Sequence, residues 1–262
     1  MSDKKVLVLR SSDRDRRAYG GFQYPESGMV EAPDWKPTKE CGKGLHGLLW
    51  GLGDYSLYNW DEDAVWQVLE VLEADLICLG GKVKFPRAEI VCAGSREKVW
   101  TYLMENGGAE HGAQYYTSGN HLVKEGRVFA SGSASVEAWG SASVEAWGSA
   151  SVRAWGSASV RAWDSASVRA WDSASVRAWD SASVEAWDSA SVEAWGSASV
   201  EAWGSASVEA WGSASVRASM RTVVISLSAR VKVTLEGSLA VLINRGSYPW
   251  SSVEVKTGDD SE

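Results

Sequence analysis

Gly132-Ser133-Ala134-Ser135-Val136-Glu137-Ala138-Trp139 is followed at once by Gly140-Ser141-Ala142-Ser143-Val144-Glu145-Ala146-Trp147, and the octad recurs through Trp211 before a partial copy ends at Ser219. A fixed period of this kind overrides local propensity, so the repeat decides the fold. Read at strand period two, Ala134, Val136 and Ala138 share one face, and Ser133, Ser135, Glu137 and Trp139 share the other. Only the aliphatic set can face inward, because a buried ladder of unpaired Glu or Arg would cost several kcal/mol per group. The expected core is therefore a thin Ala-Val-Ala layer, with the indoles outside or along an edge.

Gly140, replaced by Asp at Asp164, Asp172, Asp180 and Asp188, precedes Ser in each unit and supplies the bend between strands. Eight residues cannot close a coil, but two octads make a 16-residue, two-sided coil. Stacked ~4.8 Å apart, about seven such layers form a rod roughly 34 Å long. Working outward, Val128 and Ala130 sit eight residues before Val136 and Ala138, so the solenoid begins before the perfect octads. Beyond Ser219, Val223, Ile225 and Leu227, then Ala229, Val231, Val233 and Leu235, then Leu239, Val241 and Ile243 keep the alternation without Trp or Ser, as a capping end should. The expected class is mainly β: a small N-terminal α/β (α+β) domain over 1–120, a two-sided β-solenoid over 121–247 (perfect octads 132–219, degenerate coils 220–247), and a disordered tail over 248–262.

Within the N-terminal part, Val6 to Leu9 reads as a strand and Val65 to Leu72 as a strand or helix. Lys82 to Val91 reads as a strand pair broken at Pro86. Ser95 to Asn106 reads as a helix, with Ser95 as N-cap, Val99, Leu103 and Met104 as its apolar stripe, and Gly107 ending it.

Two stretches resemble known families. Cys41-Gly42-Lys43-Gly44-Leu45-His46, followed by Val65-Trp66-Gln67-Val68-Leu69-Glu70-Val71 and Gly81-Lys82-Val83-Lys84-Phe85-Pro86-Arg87, resembles an uncharacterised bacterial and phage domain with a C-x-x-GLH motif; this implies a grouping and no activity. The octads resemble the SATVRAYG-type arrays of bacterial repeat proteins and, more distantly, bactofilins and the 16-residue coils of ice-nucleation proteins. Trp stands here where Tyr is commoner in those arrays. Ser-x-Ser stands where ice binders usually carry Thr-x-Thr.

Catalytic signals are sparse. Cys41 and His46 could serve as nucleophile and base, with Asp54 a few residues on, and the Gly-x-Gly-Leu-His run resembles a nucleotide-binding turn of ADP-ribosyltransferases. The alternative is that Cys41 and His46 pack and cap a loop. His111 and His121 lie in a Gly-rich connection and read as solvated. Three cysteines without paired spacing argue against a disulfide framework or a zinc site, so no metal or cofactor is expected. A net charge of −8 disfavours nucleic acid. No run approaches the about eighteen apolar residues of a membrane span, and Met1 to Leu9 is too short and too soon interrupted for a signal peptide, which points to a cytoplasmic protein without a membrane partner.

The repeats carry the stronger functional signal. Sixteen residues apart, Trp139, Trp155, Trp171, Trp187 and Trp203 form one column and Trp147, Trp163, Trp179, Trp195 and Trp211 a second. Ten indoles on so slim a rod predict an apolar patch beyond the few hundred Å² usual for a monomer, hence an interaction surface. The first charged column runs Glu137, Arg153, Arg169, Glu185, Glu201, Arg217, and reversing it opposes every charge; the second (Glu145, Arg161, Arg177, Glu193, Glu209) lacks this property. Stacked Arg153/Arg169 and Glu185/Glu201 are mildly destabilising within one rod. The sequence therefore predicts a non-enzymatic scaffold that self-associates, as an antiparallel dimer or filament, or docks a protein partner. An enzyme targeted by its solenoid and an ice-binding solenoid are the alternatives.

Overall fold

The computed structural model describes residues 4–61, 63–236, 240–244 and 254–257. The chain divides into two compact units, Met1–Tyr115 and Tyr116–Glu262.

In the first unit seven strands form one antiparallel sheet. Lys5–Ser12 lies near its centre, between Leu45–Leu49 and Val65–Leu72. Val65–Leu72 is thus a strand. Pro86 separates Val83–Phe85 from Arg87–Gly94, which occupy different places in the sheet rather than pairing with each other. Proline cannot donate to a ladder, so the chain changes partners there. One helix, Arg96–Leu103, packs against the strands Val65–Leu72 and Arg87–Gly94. Ser95 caps it, its hydroxyl accepting from Lys98 N at 3.4 Å, and Gly107 follows with φ 104°. The buried stripe is Val99, Trp100 and Leu103, and Met104 is only half-buried.

The second unit is a β-solenoid of about eight turns. Each octad contributes one four-residue strand, Ser-Val-Glu/Arg-Ala, and alternate octads build two parallel walls. Partners lie sixteen residues apart without slippage: Val136 pairs with Val152, Val152 with Val168, Val168 with Val184 and Val184 with Val200. Between the walls the Ala and Val side chains, from Val128 to Val216, are at most 1% exposed. Small residues are needed because the two walls are closed by turns of only four residues, which hold them close together.

Nine of the corners are turns in which Ala N–H bonds to the carbonyl of Trp three residues earlier, as Ala142 does to Trp139 at 3.1 Å. The second residue of the turn has positive φ, 59° at Gly140 and 56° at Asp164 and Asp172. Gly, or Asp from Asp164 to Asp188, holds this place because both are among the few residues that tolerate it. In the middle coils the Asp carboxylate adds a bond to the coil before, Asp172 Oδ2 accepting from Gly156 N at 3.0 Å.

The C-terminal coils differ from the expected alternation. Val224 and Ser226 face inward while Val223 is 37% exposed, the reverse of an inward Val223, Ile225 and Leu227. Met220 takes the turn position of the octad, with φ 60°, so octad phase sets the register: Val224 pairs with Val208 and Ser226 with Ala210. Apolar Val223 and Ile225 consequently occupy the Ser and Glu/Arg positions. Strand Glu254–Thr257 closes this wall antiparallel to Val241–Asn244, correcting the disordered tail over those four residues; the rest of 248–262 and Leu239 lie outside the described residues.

Candidate functional site

The solenoid presents its outward groups in unbroken files. Down one wall run Ser135, Ser151, Ser167, Ser183, Ser199 and Ser215, and beside them Glu137, Arg153, Arg169, Glu185, Glu201 and Arg217. From Ser159 onward the strand serines are exposed, as are the turn serines throughout, with a fully buried Ala between each pair.

The indoles stand at the corners, where the turn begins, and each lies over the next. In the first column the ring centroids are 4.5, 4.9, 4.9 and 5.1 Å apart, and in the second 5.5, 4.9, 5.0 and 4.7 Å, with planes 6–16° from parallel. That spacing is the coil rise, so the backbone stack itself sets the ring stack. Stacking leaves most of these rings half-buried. Rings cover rings, and in the array only Trp139, at the end of its column, is exposed (43%), whereas Trp147 is 2% exposed under Phe129.

Most of the charged side chains pair along their own file, Glu209 excepted, which lies between Glu193 and Ile225. Glu137 pairs with Arg153 (3.6 Å), Arg169 with Glu185 (3.0 Å) and Glu201 with Arg217 (3.9 Å). In the second column Glu145 pairs with Arg161 (2.7 Å) and Arg177 with Glu193 (3.1 Å). The like-charged neighbours Arg153/Arg169 and Glu185/Glu201 do meet in register, but each of the four has an opposite charge on its other side. The expected repulsion is thereby offset within one rod.

The first unit holds a cleft of about 990 Å³, and it gathers two of the three catalytic candidates, Cys41 and His46. Cys41 is exposed, and its thiol pKa is lowered by Lys82, whose Nζ donates to Sγ at 3.1 Å. His46 sits in the strand Leu45–Leu49; burial, then the charges of Lys82 and Lys84, lower its pKa from 6.5 to about 4, so the ring is neutral near pH 7. Its Nε2 is buried without a hydrogen-bond partner. Asp54 is engaged elsewhere, capping the turn Tyr55–Leu57 by accepting from Ser56 N at 3.0 Å and Ser56 Oγ at 2.6 Å.

Two buried cations missed in the sequence frame this region. Lys84 is fully buried and donates to the carbonyls of Glu40 (2.9 Å) and Gly42 (3.3 Å). Arg10 is 6% exposed, donates to Gln67 Oε1 at 2.9 Å and lies 3.3 Å above the Tyr24 ring. The available signal was Arg10 in phase with Val6 and Val8, on the apolar face of its strand. His111 and His121 are not simply solvated: His111 stacks on Trp50 at 4.0 Å and His121 on Tyr116 at 3.5 Å. Among the described residues no group of three or more His, Cys, Asp or Glu could hold a metal.

A family model described as a domain of unknown function, DUF7666, matches residues 6–105. Among characterised proteins the chain is similar to ice nucleation proteins. It is 41% identical over 108 residues to one from Pseudomonas fluorescens, covering 40% of this chain and 9% of that protein. It is 37% identical over 108 residues to ice nucleation protein InaU of Pantoea ananas, with 40% and 10% coverage, and 44% identical over 98 residues to one from Pseudomonas syringae, with 37% and 8%. The matches thus span about a tenth of these relatives' length. No solved structure matches. The cytoplasmic location expected from the sequence is overturned here, because ice nucleation proteins are outer-membrane-anchored surface proteins. Among the described residues no helix is long and apolar enough to cross a membrane.

Proposed function

We propose that this protein is a non-enzymatic scaffold whose solenoid associates with a second copy of itself along its outward files. One observation carries this reading: Ser, Glu/Arg and Trp rows repeat at one-coil intervals without a break from Ser135 to Trp211. A periodic surface is matched throughout only by a partner of the same period, and another copy has it. The first column, which reverses into its own complement, is the face assigned to an antiparallel pair. With its charges already paired inside each rod, association there exchanges vertical ion pairs for lateral ones, and salt should weaken it.

Light scattering across protein and salt concentrations tests this. A mass of two chains or more at low salt, falling as salt rises, is expected; a monomer at every concentration would refute it. Arg153→Glu with Arg169→Glu should lower the mass while circular dichroism stays unchanged, and an unaltered mass would remove the first column from the interface.

A second reading, ice binding, is favoured by the similarity to ice nucleation proteins and by the paired Ser rows flanking a buried Ala. Thermal hysteresis and droplet-freezing temperature test it. Water freezing at the buffer's own temperature, without hysteresis, would exclude it.

A further inference from the structure

We infer that the cleft of the first unit binds a small organic oxyanion, whose carboxylate or phosphate pairs with Arg10 and whose body lies against Tyr24 and Tyr58. The inference begins with Arg10. A guanidinium withdrawn from water normally has a carboxylate partner, because desolvating a lone charge is costly. Arg10 is 94% buried, yet among the described residues no carboxylate lies within ion-pair distance of it. It has one amide oxygen, from Gln67, and one aromatic face, from Tyr24. Gln67 cannot turn to offer more, since its Nε2 is held by the Pro25 carbonyl at 2.9 Å. Burial accordingly lowers the Arg10 pKa, the mark of an uncompensated cation.

Arg10 lines the cleft, and the other charges there point the same way. Arg17, which faces Asp15 at 3.6 Å, and Lys43 and Lys82 line it too, against Asp13 and Asp34, so the lining carries more positive than negative groups in a chain of net charge −8. Asp13 is already occupied, its Oδ1 accepting from the backbone of Asp15 and Arg17. His46 adds a neutral imidazole with an unused, buried Nε2. The architecture holds these groups in place. A Cβ on Gly47 would come within 2.8 Å of the Leu9 carbonyl, so glycine there lets the His46 strand press against the Arg10 strand. A volume near 990 Å³ suits a ligand larger than an inorganic ion, and the aromatic rings supply the apolar wall such sites use.

Titration calorimetry on the full chain at fixed ionic strength tests this with phenyl phosphate, benzoate and, as the uncharged control, benzyl alcohol. At least one anion should bind about tenfold more tightly than benzyl alcohol. The stronger of the two distinguishes phosphate from carboxylate. Arg10→Lys, which keeps the charge and loses the planar fork, should weaken that anion by about tenfold, and Lys82→Ala at the surface by a smaller factor. Should Arg10→Lys not fold, the unaltered protein still decides: the bound anion should slow alkylation of Cys41 and shift the His46 Nε2 resonance. Anions no tighter than benzyl alcohol, a folded Arg10→Lys with unchanged affinity, or unaltered Cys41 and His46 signals would each overturn the assignment. These outcomes do not depend on the solenoid's association.

Discussion

Replacing Arg161 by methionine should cost the solenoid clearly more than replacing Arg169, although both fill the same octad position. The difference lies in their partners. The Glu145 side chain is 3% exposed and takes Arg161 Nη1 at 2.7 Å, whereas the Glu185 side chain is 35% exposed and takes Arg169 Nε at 3.0 Å. Breaking a buried ion pair from one side costs about 3–5 kcal/mol because the remaining charge is stranded. Here Arg127 Nε stays 3.9 Å from the same Glu145 oxygen, which reduces the expected cost to about 2 kcal/mol. The exposed Arg169–Glu185 pair is worth only about 0.5 kcal/mol. In a unit of this size each kcal/mol moves the midpoint by roughly 2–4 °C, so Arg161→Met should lower the Tm by about 4–8 °C and Arg169→Met by no more than about 2 °C. Thermal unfolding followed by circular dichroism gives the midpoints, and hydrogen exchange of the strands Ser143–Ala146 and Ser159–Ala162 locates the loss. Equal midpoint shifts would refute the argument that burial of the acid, rather than the ion pair itself, decides the cost.

Three further outcomes follow from the same geometry. His46 takes its proton near pH 6.5 when unfolded and near pH 4 when folded, so the unfolded state binds more protons between those values. First-unit stability, complete above pH 6.5, should therefore fall as pH drops towards 4. His46→Phe should flatten that slope in urea titrations. Trp179, sandwiched between Trp163 and Trp195 at 4.9 and 5.0 Å, should contribute to an exciton couplet in far-ultraviolet circular dichroism that Trp179→Ala reduces by more than Trp139→Ala, since Trp139 has only one neighbour in the array. Asp172 sits at φ 56°, so Asp172→Gly should change stability by less than about 1 kcal/mol, whereas Asp172→Val should cost about 2 kcal/mol from strain and the lost bond to Gly156 N, measured by thermal midpoint.

The solenoid was legible because its information is local and repeated. Alternation within Ser-Val-Glu/Arg-Ala separates Val136 and Ala138 from Ser135 and Glu137, and a 16-residue period aligns the files. Alternation fails at Trp139, where the strand has ended and the turn to Ala142 places the ring at the corner. It fails again at Val223, where hydrophobicity and octad phase disagree and backbone register wins. The C-terminal coils show the same conflict, lengthening from 16 to 17 and 18 residues between partners Ser215 and Lys232 and then Val223 and Val241.

The cleft was hardly legible, since its determinants meet across long separations. Arg10 is defined by Gln67, fifty-seven residues on, and Lys84 by carbonyls more than forty residues earlier. Cys41 and His46 stand close in sequence, which suggested a pair, yet Cys41 takes Lys82 as its partner. Short sequence separation says nothing about which way two side chains point once a strand intervenes.

The scaffold reading requires that residues sixteen apart advance by one coil along a single straight file. Double electron–electron resonance measures this in a variant with Cys41, Cys78 and Cys92 changed to Ser and nitroxides placed at Ser151 with Ser215, then at Ser135 with Ser215. Those pairs stand four and five coils apart, so distances near ~19 Å and ~24 Å, differing by one strand spacing, are predicted. Distances that do not grow by that increment, or a broad distribution at both pairs, would contradict the stacked-coil account and the periodic surface built on it.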